Sequence, residues 1–403
     1  MIHFIVRAFQ FVAILGCVSS SIYYLLCLWS AVAFLRCRRS WGVDTPFDKP
    51  KAGSVRQLPV SILKPLKGTD PEIYKSFRSH CRQDYPEYEI IFGVSDADDP
   101  AVVSVQRLQR EFPDHAIRLV VSPNQLGANV KVSNLAHMLD AARYEYLIVN
   151  DSDIRVEPDY LRRVLAPLAE VLMDDLANER VGMVTCLYRG IAEPTLGSRL
   201  ESLGISTDFC AGVLVARQLE GGLHFGLGST MAFRRRDLER VGGFQSIVDH
   251  LADDYELGRR IAALGLQVVL SDVVVETHLP AYDLSGFFSH QLRWARGVRD
   301  SRAAGYFGLV STYGVMWGLL AVLAARAAPW SWTALGITML LRLAVAVTVG
   351  KSVLQDVQLP KQLWLLPLRD LVAVAVWLVS FAGHTVTWRG DRFELKNGRL
   401  IRL

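Results

Sequence analysis

Six cysteines occur among 403 residues, three of them in or beside the first apolar stretch, and none stands in a CxxC pair. That scarcity disfavours both a disulfide framework and a thiolate zinc site, and points to a reducing compartment. Excess charge of one sign is also missing. A net charge of +4 is too small to form a footprint for nucleic acid, and arginines beside apolar segments account for it. No internal repeat and no low-complexity tract is present.

Charge is absent altogether from Ala8 to Leu35, between Arg7 and the cluster Arg36, Arg38, Arg39. A bilayer core of roughly 30 Å takes about 20 helical residues, so this run is long enough to cross it and too long for the apolar part of a signal peptide. The arginines after it favour the cytoplasm and place the following chain there, with a bacterial inner membrane as the expected location. The chain is 51% hydrophobic yet 21% charged, which suits a soluble domain attached to spans. Three further apolar segments follow near the end: 303–325 is uncharged, 327–350 carries only Arg342, and 363–384 carries only Arg369 and Asp370. The first two read as spans, and the third as a crossing or an interfacial segment. The basic tail beyond them (Arg389, Arg392, Lys396, Arg399, Arg402) prefers the cytoplasm, which an odd number of crossings forbids.

Between these ends the pattern changes to short β-rich runs: Val60–Leu63, Ile90–Val94, Ile117–Val121, Tyr146–Val149, Val181–Leu187 and Val268–Leu270. Helical patterns at 71–82, 101–112, 132–142 and 254–264 alternate with them, which indicates an α/β domain with a mainly parallel sheet. Thr45 to Gln57 reads as a linker. The expected organisation is an anchor and linker over 1–58, the domain over 59–302, and membrane segments with the tail over 303–403.

Ligands of such sheets bind beyond the C-terminal strand ends. After the second strand come Asp96, Asp98 and Asp99, which suit either a helix-capping turn or a binding site. After the fourth come Asp151 and Asp153, two carboxylates whose repulsion a hard divalent cation, Mg2+ or Mn2+, would offset while gripping a diphosphate. Asp253 and Asp254 open a helical pattern, where acids cap and complement the dipole or act as a general base. Before the C-terminal segments lie His290, Arg293 and Trp294, read either as a phosphate fork with a stacking surface or as a membrane border. Lys64 and Lys131 flank loops at the same end and suit a diphosphate as point charges. The run Gly226–Thr230 allows close backbone approach.

The order Asp cluster, Asp-x-Asp, Asp-Asp, x-x-Arg-Trp resembles family 2 and family 21 glycosyltransferases over nearly the whole chain. The strings Ser61-Ile62-Leu63-Lys64-Pro65-Leu66-Lys67-Gly68, Asp84-Tyr85-Pro86, Lys131-Val132-Ser133-Asn134-Leu135 and Asp151-Ser152-Asp153-Ile154-Arg155-Val156 look like ceramide glucosyltransferases. They also look like bacterial enzymes that place N-acetylglucosamine on hopanoids. The resemblance implies a GT-A fold with a cytosolic catalytic domain flanked by transmembrane helices. It assigns Asp96, Asp98 and Asp99 to nucleotide binding, Asp151 and Asp153 to the metal, Asp254 to the base, and Arg293 and Trp294 to the last positions of the Gln/Arg-x-x-Arg-Trp motif. His290 stands where that motif has Gln or Arg, and Gln291 is one residue too late to fill the place. The implied reaction is inverting transfer of glucose from UDP-glucose to ceramide. The alternatives are transfer of N-acetylglucosamine to a hopanoid polyol, polysaccharide synthesis, and a non-catalytic membrane scaffold.

Overall fold

Val- and Ile-rich runs become strands here because branched side chains fill the two covered faces of a sheet. The computed structural model describes residues 2–44, 58–169, 181–388 and 390–403; the expected linker and Arg389 lie outside them. Helix α1 (Ile2–Asp44) precedes β1 (Val60–Pro65), α2 (Ile73–His80), β2 (Tyr88–Val94), α3 (Ala101–Glu111), β3 (Ala116–Val121), α4 (Val130–Ala141) and β4 (Tyr146–Val149). Next come β5 (Ile154–Arg155), α5 (Tyr160–Ala169), β6 (Val181–Ile191), α6 (Leu196–Gly204), α7 (Cys210–Leu219), β7 (Met231–Arg234), α8 (Arg235–Arg240), α9 (Asp253–Ala263), β8 (Gln267–His278) and α10 (Leu284–Ser301). All six expected strands are present, with β6 and β8 longer than the apolar runs that announced them.

The strands form one eight-stranded sheet in the order β3-β2-β1-β4-β7-β6-β8-β5. Strands β3, β2, β1 and β4 are parallel, β7 is antiparallel to both neighbours, β6 and β8 are parallel, and β5 is antiparallel to β8. This is the mixed, mostly parallel sheet of a GT-A fold. The chain builds β1, β2 and β3 in one direction and then places β4 on the other side of β1. A crevice at the C-terminal ends of β1 and β4 results, and the candidate residues Asp151 and Asp153 stand there.

Beyond α10 the chain forms α11 (Ala303–Gly308), α12 (Gly314–Ala324), α13 (Pro329–Ala346), α14 (Leu359–Gln362), α15 (Leu366–Ser380) and a three-stranded antiparallel sheet, β9 (Thr385–Trp388), β10 (Asp391–Lys396) and β11 (Arg399–Arg402). Phe4–Arg38, Pro329–Val353 and Leu359–Ser380 are each long and apolar enough to cross a membrane. Segment 303–325, expected as a span, is broken at Tyr313 into halves bent by 52°, as in a broken span or a re-entrant loop. The second half and α13 lie along α1. Gly314 N donates to Tyr24 Oη at 3.1 Å, Gln10 Nε2 to the Ala324 carbonyl at 2.9 Å, and Arg38 Nη1 to the Val353 carbonyl at 3.2 Å.

The third apolar segment behaves differently, because both its ends touch the α/β domain. Ala192 N donates to Gln358 Oε1 at 2.8 Å at its start, Arg369 Nη2 to Gln291 Oε1 at 3.2 Å along it, and Arg299 Nη2 to the Gly383 carbonyl at 2.8 Å past its end. Helix α15 therefore runs beside α10. The residues read as a basic tail form the β9–β11 sheet, which bonds back to the domain: Leu400 N donates to the Asp249 carbonyl at 2.6 Å and Leu251 N to the Gly398 carbonyl at 3.1 Å. A tail held on the domain lies on the same side of any membrane as the domain.

Single cysteines placed at Val103 on α3 and at Leu403, exposed by 66% and 67%, are therefore expected to react with an impermeant thiol reagent from the same side of sealed vesicles. Labelling from opposite sides would show that α15 crosses.

Candidate active site

The turn after β4 is fixed from beneath. Asn150 Nδ2 donates to the Ser229 carbonyl at 2.7 Å and to Tyr160 Oη at 2.9 Å, and Lys64 Nζ donates to the Asp151 carbonyl at 2.9 Å. Lys64 is fully buried, and burial pushes its ammonium down to about 7 against the pull of Asp153 and Asp151. It is neither the diphosphate ligand expected nor an ordinary surface lysine, but a prop under the turn that holds Asp151 and Asp153 at the cavity.

Lys131 arrives from the opposite wall. Asn129 caps α4 by accepting from Val132 N at 3.2 Å, while its Nδ2 donates to the His250 carbonyl at 2.7 Å, so the start of α4 is tied to the segment that leads into α9. Lys131 Nζ then lies 2.8 Å from Asp151 Oδ1 and 3.0 Å from Asp253 Oδ2. Burial alone would lower its ammonium, but Asp151, Asp253 and Asp254 hold it well above the usual lysine range. Asp253, 6% exposed, is taken up by that ion pair. Asp254 is half-buried and faces the glycine run: its Oδ2 accepts from Gly228 N and its Oδ1 from Tyr255 N, each at 2.7 Å. A Cβ on Gly228 would stand 3.0 Å from Asp151 Oδ2 and 3.2 Å from Asp254 Oδ2, so one glycine separates these two carboxylates.

Carboxylates crowd this place: Asp151, Asp153, Asp253 and Asp254 gather around Lys131 and above the buried Lys64. Burial, then the neighbouring Asp151, pushes the Asp153 carboxyl up to about 6. Burial, then Asp253, does the same to Asp254. Among the described residues no group of three or more His, Cys, Asp or Glu is arranged around one metal position. Asp151 and Asp153 thus offer a divalent cation hard oxygens, and leave most of its coordination sphere to phosphate and water.

All of these groups except Lys64 line one cavity of about 1370 Å³. Helix α10 puts His290, Arg293 and Trp294 on the same wall, three and four residues apart and so on one helical face. His290 Nδ1 lies 2.9 Å from Oε1 of Glu201, a buried carboxylate that the sequence reading missed, and its ring stands 5.2 Å from that of Trp294. Asp70 was missed as well; it lines the cavity and accepts from the Ser152 hydroxyl. The first acidic cluster lies apart from this wall. Asp96 accepts from Asp98 N at 3.0 Å, and Asp99 accepts from Ala101 N at 2.9 Å at the start of α3 and from Gly68 N. Asp96 and Asp98 are exposed.

The profile of a family described as Glycosyl transferase family 21 matches residues 12–401. Ceramide glucosyltransferase 3 of Caenorhabditis elegans is 24% identical over 358 residues, covering 85% of this chain and 74% of that protein. Ceramide glucosyltransferase 1 of the same organism is 24% identical over 288 residues, 72% of this chain and 58% of that protein, so the chain spans just over half its length. Among solved structures, a mannosyltransferase from Pyrobaculum calidifontis in complex with GDP-Man and Mn2+ is 21% identical, covering 91% of this chain and 98% of that one at a TM-score of 0.49.

Asp254 faces the open cavity, whereas Asp253 is engaged by Lys131. Asp254→Asn keeps the shape but removes the basic lone pairs, so turnover is expected to fall by roughly 10²–10⁴-fold with donor affinity nearly constant, while Asp253→Asn costs far less. In the unsubstituted protein turnover should fall as pH drops through about 6, where the Asp254 carboxylate takes up its proton. Steady-state kinetics with donor binding measured separately would check both, and an inactive Asp253→Asn beside an active Asp254→Asn would reverse the assignment.

Proposed function

The chain belongs to glycosyl transferase family 21 and is a hexosyltransferase; we propose that it transfers glucose from UDP-glucose to a hydroxyl of ceramide, inverting the anomeric centre. One observation carries this reading. The cavity that holds Asp151, Asp153 and Asp254 continues without a break past Phe209 and Tyr24 to residues of α11, α13 and α15, so a lipid head can reach the carboxylates from the apolar helices. The relatives named ceramide glucosyltransferase support the same acceptor and sugar. Arg36, Arg38 and Arg39 at the end of α1 support a cytoplasmic domain, where nucleotide sugars are made.

In this reading Asp254 takes the proton from the lipid hydroxyl as that oxygen attacks the anomeric carbon. The diphosphate departs on the opposite face, toward the Asp151–Asp153 turn, so a single displacement turns an α-linked donor into a β-glycoside. Asp151 and Asp153 would hold a divalent cation, Mg2+ or Mn2+, which would supply positive charge to the diphosphate leaving group. Lys131, paired with both Asp151 and Asp253, offsets their mutual repulsion, and Arg293 offers its planar fork to phosphate oxygens. Trp294 packs in a row with His290 and Phe209, at ring distances of 5.2 and 6.2 Å, and forms the apolar side of the sugar and acceptor site.

Mass spectrometry of lipids from a host that makes ceramide and expresses this protein reads sugar and acceptor together. A hexosylceramide that disappears with Asp254→Asn is the expected product. An N-acetylhexosaminyl lipid in its place would contradict the proposed donor and acceptor.

A further inference from the structure

A second group of charges lies where the apolar helices meet the domain. The helix that begins as α6 and ends as α7 is interrupted by a π-helical turn, Ile205–Phe209, which carries Asp208; such turns are rare and frequent at functional sites. Arg342 of α13, 2% exposed, places Nη2 2.5 Å from Asp208 Oδ1 and 2.8 Å from Asp370 Oδ1, and its Nη1 donates to the Thr207 carbonyl at 3.1 Å. Its hydrogen bonds staple α13 and α15 to the π-turn.

Arg369 does not fit that structural role. It is 8% exposed, and its Nη2 lies 3.2 Å from Gln291 Oε1 and 3.6 Å from Asp208 Oδ2. Its Nε and Nη1, both buried, meet no acceptor among the described residues. Leaving guanidinium donors buried and unused is costly unless a ligand meets them. Room has been made for the group as well: a Cβ on Gly204 would overlap the guanidinium. Asp208 remains 36% exposed, and Asp208, Arg342, Arg369 and Asp370 all line the cavity that Asp151 and Asp254 line.

We propose that this cluster is the head-group subsite for the lipid acceptor, and that it selects an uncharged head bearing a second hydroxyl or amide beside the hydroxyl that reacts. Two carboxylates balance two guanidiniums, so the subsite offers no net positive charge to a lipid phosphate. What it does offer is an acceptor, Asp208, beside the unused donors of Arg369, and a neutral group that both donates and accepts satisfies the two at once. Ionisable groups at membrane depth that face a cavity mark substrate paths rather than packing. The inference rests on a lipid acceptor, as proposed above, and holds for ceramide and for a hopanoid polyol alike.

The test uses the full chain in mixed micelles with UDP-glucose and UDP-N-acetylglucosamine, and four acceptors: ceramide, a hopanoid polyol, a long-chain primary alcohol and a polyprenyl phosphate. Arg369→Gln and Gly204→Ala are expected to raise the KM for the neutral polar lipid by about tenfold or more, the loss of one charged hydrogen bond, with the donor KM unchanged. Gly204→Ala keeps every charge and only displaces the guanidinium, which separates the subsite from loss of the fold. Preference for the polyprenyl phosphate, equal use of the plain alcohol, turnover of no lipid, or a fall in kcat alone in both variants would overturn the proposal. Use of the hopanoid polyol but not ceramide, with the same response of KM, would remove the ceramide reading and keep the subsite.

Discussion

Lys131 holds together two acidic clusters that would otherwise repel. Asp151 comes from the end of β4 and Asp253 from the start of α9, elements built from distant parts of the chain, and the ammonium lies 2.8 and 3.0 Å from them. Side-chain and backbone hydrogen bonds together position it at the sheet's switch point. Asn129 ties the start of α4 to His250, and the C-terminal sheet pins the same segment through Asp249 and Leu251. The buried Lys64 fixes the other side of the pair by holding the Asp151 carbonyl. The carboxylates that follow β4 and open α9 are therefore held to each other through one ammonium.

That arrangement explains why Asp253 and Asp254, adjacent on one helix, have different environments. Successive helical residues point about 100° apart, so when Asp253 faces Lys131, Asp254 faces the glycine run and the open cavity. Neither direction is set by α9 alone. The tight passage of Gly228 between Asp151 and Asp254 leaves room for two carboxylates to face one substrate.

Much of the fold was legible because period and strand length carry it. The six β-rich runs and the four helical patterns reappear as strands and helices, and Asp151 and Asp153 stand at a strand end as their position after an apolar run implied. What was not legible depended on burial. A lysine after a strand reads as surface or ligand, and nothing local reveals that Lys64 is enclosed under a carbonyl. Arg342, Arg369 and Asp370 looked like isolated charges in apolar segments, since their partner Asp208 lies more than a hundred residues earlier in the chain. The tail had a readable signal that charge obscured. Asn397 and Gly398, both with positive φ, form the hairpin turn between β10 and β11, a dipeptide that favours such turns. That sheet packs on the domain, so the basic tail is folded structure and not a free end.

The Lys131 ammonium competes with a divalent cation for the same carboxylate oxygens, and calorimetric titration of Mn2+ into the 403-residue chain measures that competition directly. Without Lys131 the site keeps its oxygens and loses the competing charge. Lys131→Met should therefore bind Mn2+ more tightly than the unsubstituted protein. Mn2+ affinity that is unchanged or lower in Lys131→Met would contradict it.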